Sequence, residues 1–580
     1  MAYPDKLSAR WTRFQNRLAA RRSVFGRPAT AFVSQPEPRT IGSYARGRQL
    51  VAGNFLFAGH LLQQPEADMW ELSPPDRAFA EALHGFGWLD DLAAAGDGPA
   101  RARAQAWLWG WIARYGRGRG PGWTPDLTGR RLIRWISHAL FLLSGQDSDA
   151  SHAFYRSVAA QTAFLGRRWR ASAPGLPRFE ALTGLIHAGI SLEGMEAHLA
   201  PAIAALEREC RARIDAQGGL PTRNPEELLD VFSLLTWAAV ALGEAGRSPS
   251  EGHWAAIERI APTLRTLRHA DGGLARFHGG GRGLEGRLDR ALANSGVKGC
   301  AAGGLSMGFA RLGAGRTSIV IDAAPPPRGK ASAGAHASTL AFELTSGRRP
   351  LVVNCGSGAN FGADWRRAGR ATPSHSTLIL ADRSSARLGP AHDGQEYLVT
   401  APRTVPIEMS HAPDCMRFEG GHHGYVREFG LTHVRKLELT LDGRALVGED
   451  SLLTLEMADR ERFDKALDAT GLEGLPYEIR FHLHPDVDVS LDMGGIAASM
   501  ALMSGEIWVL RCDGGTKISV EASVYLEKIR LKPRATKQIV LSGRAMGYAT
   551  RTRWSLAKPR DTPIGIRDLA RDGLDPVTET

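Results

Sequence analysis

Near Arg290 the spacing of apolar residues changes from a helical period to a strand period, and this single change divides the chain into two halves that cannot share one architecture. Before it, apolar residues recur three and four apart. Leu132, Trp135, Ile136, Ala139, Leu140 and Leu143 form one such stripe, on a helix expected to open after Asp126-Leu127-Thr128. Further stripes run through Ala100–Ile112, His152–Trp169, Phe179–Leu192, Met195–Ile214, Glu226–Leu242 and His253–Leu267. Helical hairpins repeated without intervening strands predict a solenoid or toroid of helix pairs.

After the change the chain breaks into short β-rich runs: TSIVID, STLAFELT, PLVVNCG, STLILAD, LTHVRKLELTL, YEIRFHLH, EIWVLRC, KISVEASVYL and KQIVLSG. Gly, Asp and Pro punctuate them, and no helix is long enough for a βαβ crossover, so an antiparallel sandwich or barrel is expected. The reading divides the chain into a basic segment 1–41, a helical domain 42–290, a Gly-rich linker 291–315, a β domain 316–560 and a tail 561–580.

A chain of 580 residues exceeds what one core usually supports, which agrees with two large domains. No window holds the roughly 18 uninterrupted apolar residues of a membrane span, so no membrane insertion is expected. The opening segment, MAYPDKLSARWTRFQNRLAARRSVFG, is basic and amphipathic but lacks the apolar core and cleavage site of a secretory signal, which favours the cytoplasm. Five cysteines, Cys210, Cys300, Cys355, Cys415 and Cys512, share no C-x-x-C spacing and read as reduced thiols. The net charge of +11 suits an anionic partner. Its basic residues are scattered and no nucleic-acid motif accompanies them, so an acidic polysaccharide is preferred to nucleic acid.

Six runs in the β half resemble the C-terminal domain of heparinase II/III-type polysaccharide lyases, in the same order: GAHASTLAFEL, LVVNCGSG, RATPSHSTLIL, HHGYVREFGLTHVRKLEL, LVGEDSL and FHLHPDV. In the helical half, DAQGGLPTRNPEELLDVF is similar to that family's D-G-G-x-x-E-R-S-P-x-Y-H segment. The resemblance implies an α/α toroid followed by a large antiparallel β-sandwich. It also implies β-elimination of uronic-acid-containing glycans in the cleft between them. The family commonly acts on envelope or extracellular glycans, so a periplasmic or envelope location stands as the alternative to the cytoplasm.

β-Elimination requires a group that neutralises the uronate carboxylate, a base for the C5 proton and an acid for the departing O4. His336 matches the His of the family's H-x-D/H motif and His375 the His of its A-H-N-T motif, written here S-H-S-T; these two and Tyr425, in HHGYVREFG, are the expected catalytic residues. Against this stands the reading of hydrogen-bonded sandwich histidines and a packed tyrosine. Arg370, with its planar fork, is an expected carboxylate clamp or a structural ion pair. Arg223 and Asn224 are expected in substrate binding, although Asn224-Pro225 followed by Glu226 and Glu227 also reads as a helix start. Trp123, in the glycine-rich loop YGRGRGPGW, is the expected sugar-stacking aromatic.

The departures from the family pattern matter as much. Glu227 stands where relatives carry the toroid Tyr, and the helix around Phe179–Leu192 lacks the Asn-His pair that opens it in relatives. No cofactor is expected, and the positions that hold a divalent metal in some relatives read Ser338, Asn354 and His375, a poor set for zinc. Ligands from the His422 and His423 region are the remaining route to a metal. Three functions therefore stay open: a lyase acting on an acidic glycan, a catalytically degenerate glycan-binding protein of the same fold, and a glycoside hydrolase. Oligomeric state is not legible.

Overall fold

The computed structural model describes residues 4–34, 37–299, 303–391 and 395–559, so Cys300 and the expected tail lie outside it. Nine helices carry the argument: α1 (Pro4–Ser23), α2 (Gly98–Tyr115), α3 (Pro125–Ser137), α4 (Ser148–Arg168), α5 (Leu176–Ser191), α6 (Leu199–Arg213), α7 (Pro225–Glu244), α8 (Glu251–Leu267) and α9 (Arg287–Ser295). Local chemistry sets their starts. Asp97, Asp147 and Asn224 each turn a side-chain oxygen onto free backbone N–H groups of the first turn, and Pro125 and Pro225 occupy first helical positions where no N–H is needed.

Helix α5 is the hub of the toroid, with α3, α4, α6 and α7 packed around it, and every residue from Phe179 to Ser191 is buried. Its crossing with α3 is backbone to backbone. A Cβ on Gly184 would lie 2.5 Å from the Cα of Gly129, and one on Gly129 would lie 2.2 Å from the Glu180 carbonyl oxygen, so only glycine fits either position. The stripe expected to run unbroken to Leu143 is interrupted: α3 ends at Ser137, a short helix Ala139–Leu143 follows, and Leu140 is exposed. The break falls at His138, whose ring is drawn 3.0 Å from Asp90. α3 also opens at Pro125, ahead of the expected start.

The sandwich is formed by two antiparallel sheets. The first runs in spatial order Ile407–His411, Cys415–Tyr425, Leu431–Thr440, Ala445–Leu453, Ala549–Ala557, Ile507–Cys512, Ala497–Ala501 and Asp488–Asp492. The second runs Lys517–Tyr525, Arg534–Ala545, Leu475–Leu483, Arg349–Val353, Phe342–Ser346, Thr317–Asp322 and Phe309–Ala314, with Leu378–Leu380 pairing beside Leu475–Leu483. Inward residues alternate with outward ones, and Phe342 of one sheet stacks on Trp554 of the other at 6.1 Å between centroids. Gly448 leaves the room that the Trp554 ring fills.

The last toroid helix and the first sandwich strand lie close together in the chain. The first sandwich strand begins at Phe309, inside the stretch read as linker, and α9 straddles position 290. Segment 1–41 is not separate from the toroid: α1 packs on α4.

Candidate functional site

His336 and His375 come together. His375 Nδ1 lies 2.8 Å from the Ala371 carbonyl and therefore carries the proton donated to it, which leaves Nε2 to accept from His336 Nδ1 at 3.0 Å. His336 Nε2 is then the lone-pair nitrogen of that ring. Burial pushes His375 down to about 3, and His336 falls well below its ordinary value through burial and the neighbouring histidines, so both rings are neutral.

Behind this pair lies a buried network that joins the domains. The His336 backbone N–H donates to His278 Nδ1, and the opposite edge of that ring faces Asp322 at 3.4 Å. Ser338 donates to the same carboxylate at 2.6 Å, and Arg223 completes the set by pairing with it. Burial alone would raise Asp322, but the Arg223 guanidinium and the bonds from His278 and Ser338 hold it well below the usual carboxylate range. His278 and Asp322 are absent from the sequence reading. Asp322 closes the β-rich run TSIVID and His278 precedes a Gly-rich run, and neither lies in a family motif.

The other expected site residues are committed elsewhere. Arg370 spends its fork on the carbonyls of Ala335, Ser332 and Glu396, so it is no carboxylate clamp; it ties the loop that carries His336 to the loop that carries His375. Arg223 gives its remaining donors to the carbonyls of Met307, Gly308, Ala324 and Pro325 and faces Phe309 at 4.7 Å. Asn224 caps α7. Tyr425 is buried, donates its hydroxyl to the Leu378 carbonyl, and is pushed up by burial, which is the packed aromatic of the bland alternative. Trp123 lies in the toroid core among Trp111 and Phe164, with its indole N–H on the Tyr115 carbonyl, and presents no face to a sugar.

The toroid wall carries a second group. Glu180 on α5 pairs with Arg130 on α3 at 2.6 Å and feels Asp126 and Asp230; burial, reinforced by those two carboxylates and opposed by Arg130, raises it to about 7. Its second oxygen has no hydrogen-bond partner among the described residues. Glu227, at the position of the family's Tyr, is also raised, first by burial and then by Asp230. Glu226 is bonded to Lys528 of the sandwich and Asp230 to Arg287. Five carboxyls (Asp126, Glu180, Glu226, Glu227, Asp230) thus meet four cations (Arg130, Arg131, Arg287, Lys528), a formal excess of one negative charge when all are ionised.

The profile described as heparinase II/III-like, C-terminal matches residues 297–555. FtsZ-localized protein C of Caulobacter vibrioides (strain NA1000 / CB15N) is 31% identical over 554 residues, covering 92% of this chain and 91% of that protein. The chain belongs to the heparinase II/III-like family. Among solved structures, heparinase III superposes with a TM-score of 0.67 at 13% identity, over 96% of this chain and 92% of that one. A mutant of the heparan sulfate lyase HepC from Pedobacter heparinus gives 0.57 at 14% identity, over 94% and 88%. Those likenesses establish the helical-then-sandwich fold of this heparinase II/III-like protein.

Within this family member the positions that hold a divalent metal in some relatives are taken up by the protein's own hydrogen bonds. Ser338 is spent on Asp322, Asn354 accepts the Ser376 N–H at 3.1 Å, and both nitrogens of His375 are bonded. His422 offers nothing in their place: it accepts the Gly424 N–H and faces His433, which in turn donates to Asp450 in the sandwich core. Among the described residues no helix is long and apolar enough to cross a membrane.

Proposed function

We propose that this heparinase II/III-like protein does not eliminate uronates and works as a binding protein whose cleft accepts a glycan free of carboxylate at the contacted ring, neutral or amino-substituted. The observation that carries the reading is the acidic toroid wall. Elimination begins by neutralising the substrate carboxylate, and a uronate brought beside Glu180, Glu227 and Asp230 meets carboxyl groups, two of them raised by burial, where the reaction needs positive charge or amide donors. An amino group or a hydroxyl-rich ring meets acceptors instead. The relative named as FtsZ-localized supports a place alongside FtsZ for this chain.

One observation favours the alternative of an active lyase: the His336–His375 pair is intact and leaves Nε2 of His336 free to take a proton. Products separate the two. Incubation with a panel of acidic polysaccharides should give no rise in ultraviolet absorbance from an unsaturated sugar, and no new reducing ends, while a fluorescent fusion should co-localise with FtsZ. An absorbance rise that disappears in His336→Ala would overturn the binding reading in favour of elimination.

A further inference from the structure

In a soluble protein a surface helix normally turns its apolar stripe inward and its charges outward. α1 does the reverse. Leu7, Trp11, Phe14 and Leu18 recur at i, i+4, i+7 and i+11 on one face, and they are 70%, 60%, 55% and 40% exposed. The opposite face, Asn16, Ala20 and Ser23, is the one buried on the toroid. Hydrogen bonds hold it that way: Arg168 of α4 donates to Asn16 at 2.8 Å and to Gln15 at 3.0 Å. The helix is therefore fixed to the protein by its small and polar side, with the apolar stripe held outward. Trp11 and Phe14 stack on each other at 5.5 Å and stay 60% and 55% exposed among the described residues, and Phe25, just past the helix end, is 89% exposed.

Charge says what covers this stripe. Arg10, Arg17 and Arg21 flank it on one side, Arg22 on the other, and Arg13 lies further round; none of the five forms an ion pair among the described residues, and residues 7–34 contain no Asp or Glu. A second copy of the chain pairing through the same stripe would bring two arginine rows together, which like-charge repulsion opposes. A surface that is apolar below and anionic at its rim satisfies both halves of the pattern, because tryptophan, phenylalanine and leucine enter the headgroup boundary while arginines bind phosphates. We propose that α1 is a peripheral docking helix for an anionic phospholipid bilayer, lying in the interface plane and holding the toroid against the membrane surface. This docking is adsorption of one face and requires no membrane span.

Flotation of the full chain with vesicles tests it. The protein should float with phosphatidylcholine–phosphatidylglycerol vesicles and stay behind with phosphatidylcholine alone. Trp11→Glu/Phe14→Glu should cut partition at least about tenfold, and Arg17→Ala/Arg21→Ala should cut it about five-fold for each arginine removed, more weakly as salt rises. Both pairs are exposed, so an unchanged thermal transition and circular dichroism spectrum show that the fold is kept. No flotation with phosphatidylglycerol vesicles, or equal flotation of the wild type and Trp11→Glu/Phe14→Glu, overturns the proposal. So does a dimer that becomes a monomer on Trp11→Glu/Phe14→Glu without any vesicle binding, which would assign the stripe to a second copy.

Discussion

At the residue scale, Glu180 is the group whose charge state separates this toroid from one built for uronates. Its carboxyl holds a proton more tightly in the folded protein, near 7, than in the unfolded chain, near 4.5. The stability it contributes is therefore full below about pH 4.5 and is lost as pH rises through 7, an effect of up to about 3 kcal/mol. Thermal unfolding of the wild type should weaken between pH 5 and 8, and Glu180→Gln should flatten that slope; an identical slope in both would mean that Arg130 keeps Glu180 ionised throughout. Asp450 is the opposite case, buried under Arg435 (2.8 and 3.1 Å), His433 and Trp554. Asp450→Asn strands the Arg435 charge in the sandwich core and should cost about 3–5 kcal/mol in chemical denaturation. The pairing of His336 with His375 was legible because both sit in family words. The fate of Arg370 was not, since a side chain's commitment to carbonyls tens of residues away leaves no mark on its own neighbours in sequence, whereas the packed reading of Tyr425 was already open from its sequence.

At the scale of elements, periodicity placed six of the toroid helices to within a few residues, because each buries a wide stripe, and it gave the strands richest in branched residues; it passed over Pro4–Ser23, whose apolar stripe faces outward, and the short helices Tyr44–Val51, Arg77–Gly85 and Trp88–Ala95. It passed over Cys415–Tyr425, whose run CMRFEGGHHGY contains three glycines and two histidines and has little strand character. That strand exists because both of its neighbours hydrogen-bond to it, Ile407–His411 and Leu431–Thr440, a tertiary cause. The α3–α5 crossing was equally hidden, since Gly129 and Gly184 look like helix-weakening residues until the helices meet there. This crossing sets Arg130 against Glu180, so it bears on the toroid wall as well as on packing. Gly184→Ala should push the helices apart, lower stability by about 1–3 kcal/mol and shift the pH dependence assigned to Glu180. A thermal melt as a function of pH reads both effects, and a stable variant with an unchanged pH profile would show that the crossing has slack.

At the scale of the whole molecule, the net charge of +11 pointed to an acidic partner, and its distribution changes that meaning. Arg131, Arg223, Arg370 and Arg435 are buried and serve the fold, the toroid wall is lined with carboxyls, and α1 carries a row of arginines without an ion pair among the described residues. What makes one body of the two halves is the Arg223–Asp322 pair, which bridges toroid and sandwich across 99 residues of sequence and also supports His336 through His278. Because the Asp322 carboxyl titrates lower in the folded protein than in the unfolded chain, its contribution is present above about pH 4 and is lost as pH falls below that. Asp322→Asn removes the same contribution at neutral pH and leaves Arg223 buried with carbonyls alone, a loss of about 3–5 kcal/mol concentrated at the domain interface. Calorimetry should then resolve two transitions for Asp322→Asn at pH 7, and for the wild type only on acidification below about pH 4, with a larger radius of gyration by small-angle scattering in each case. A single transition at the wild-type temperature in Asp322→Asn would mean that the Lys528–Glu226 and Glu343–His269 pairs hold the domains together without it.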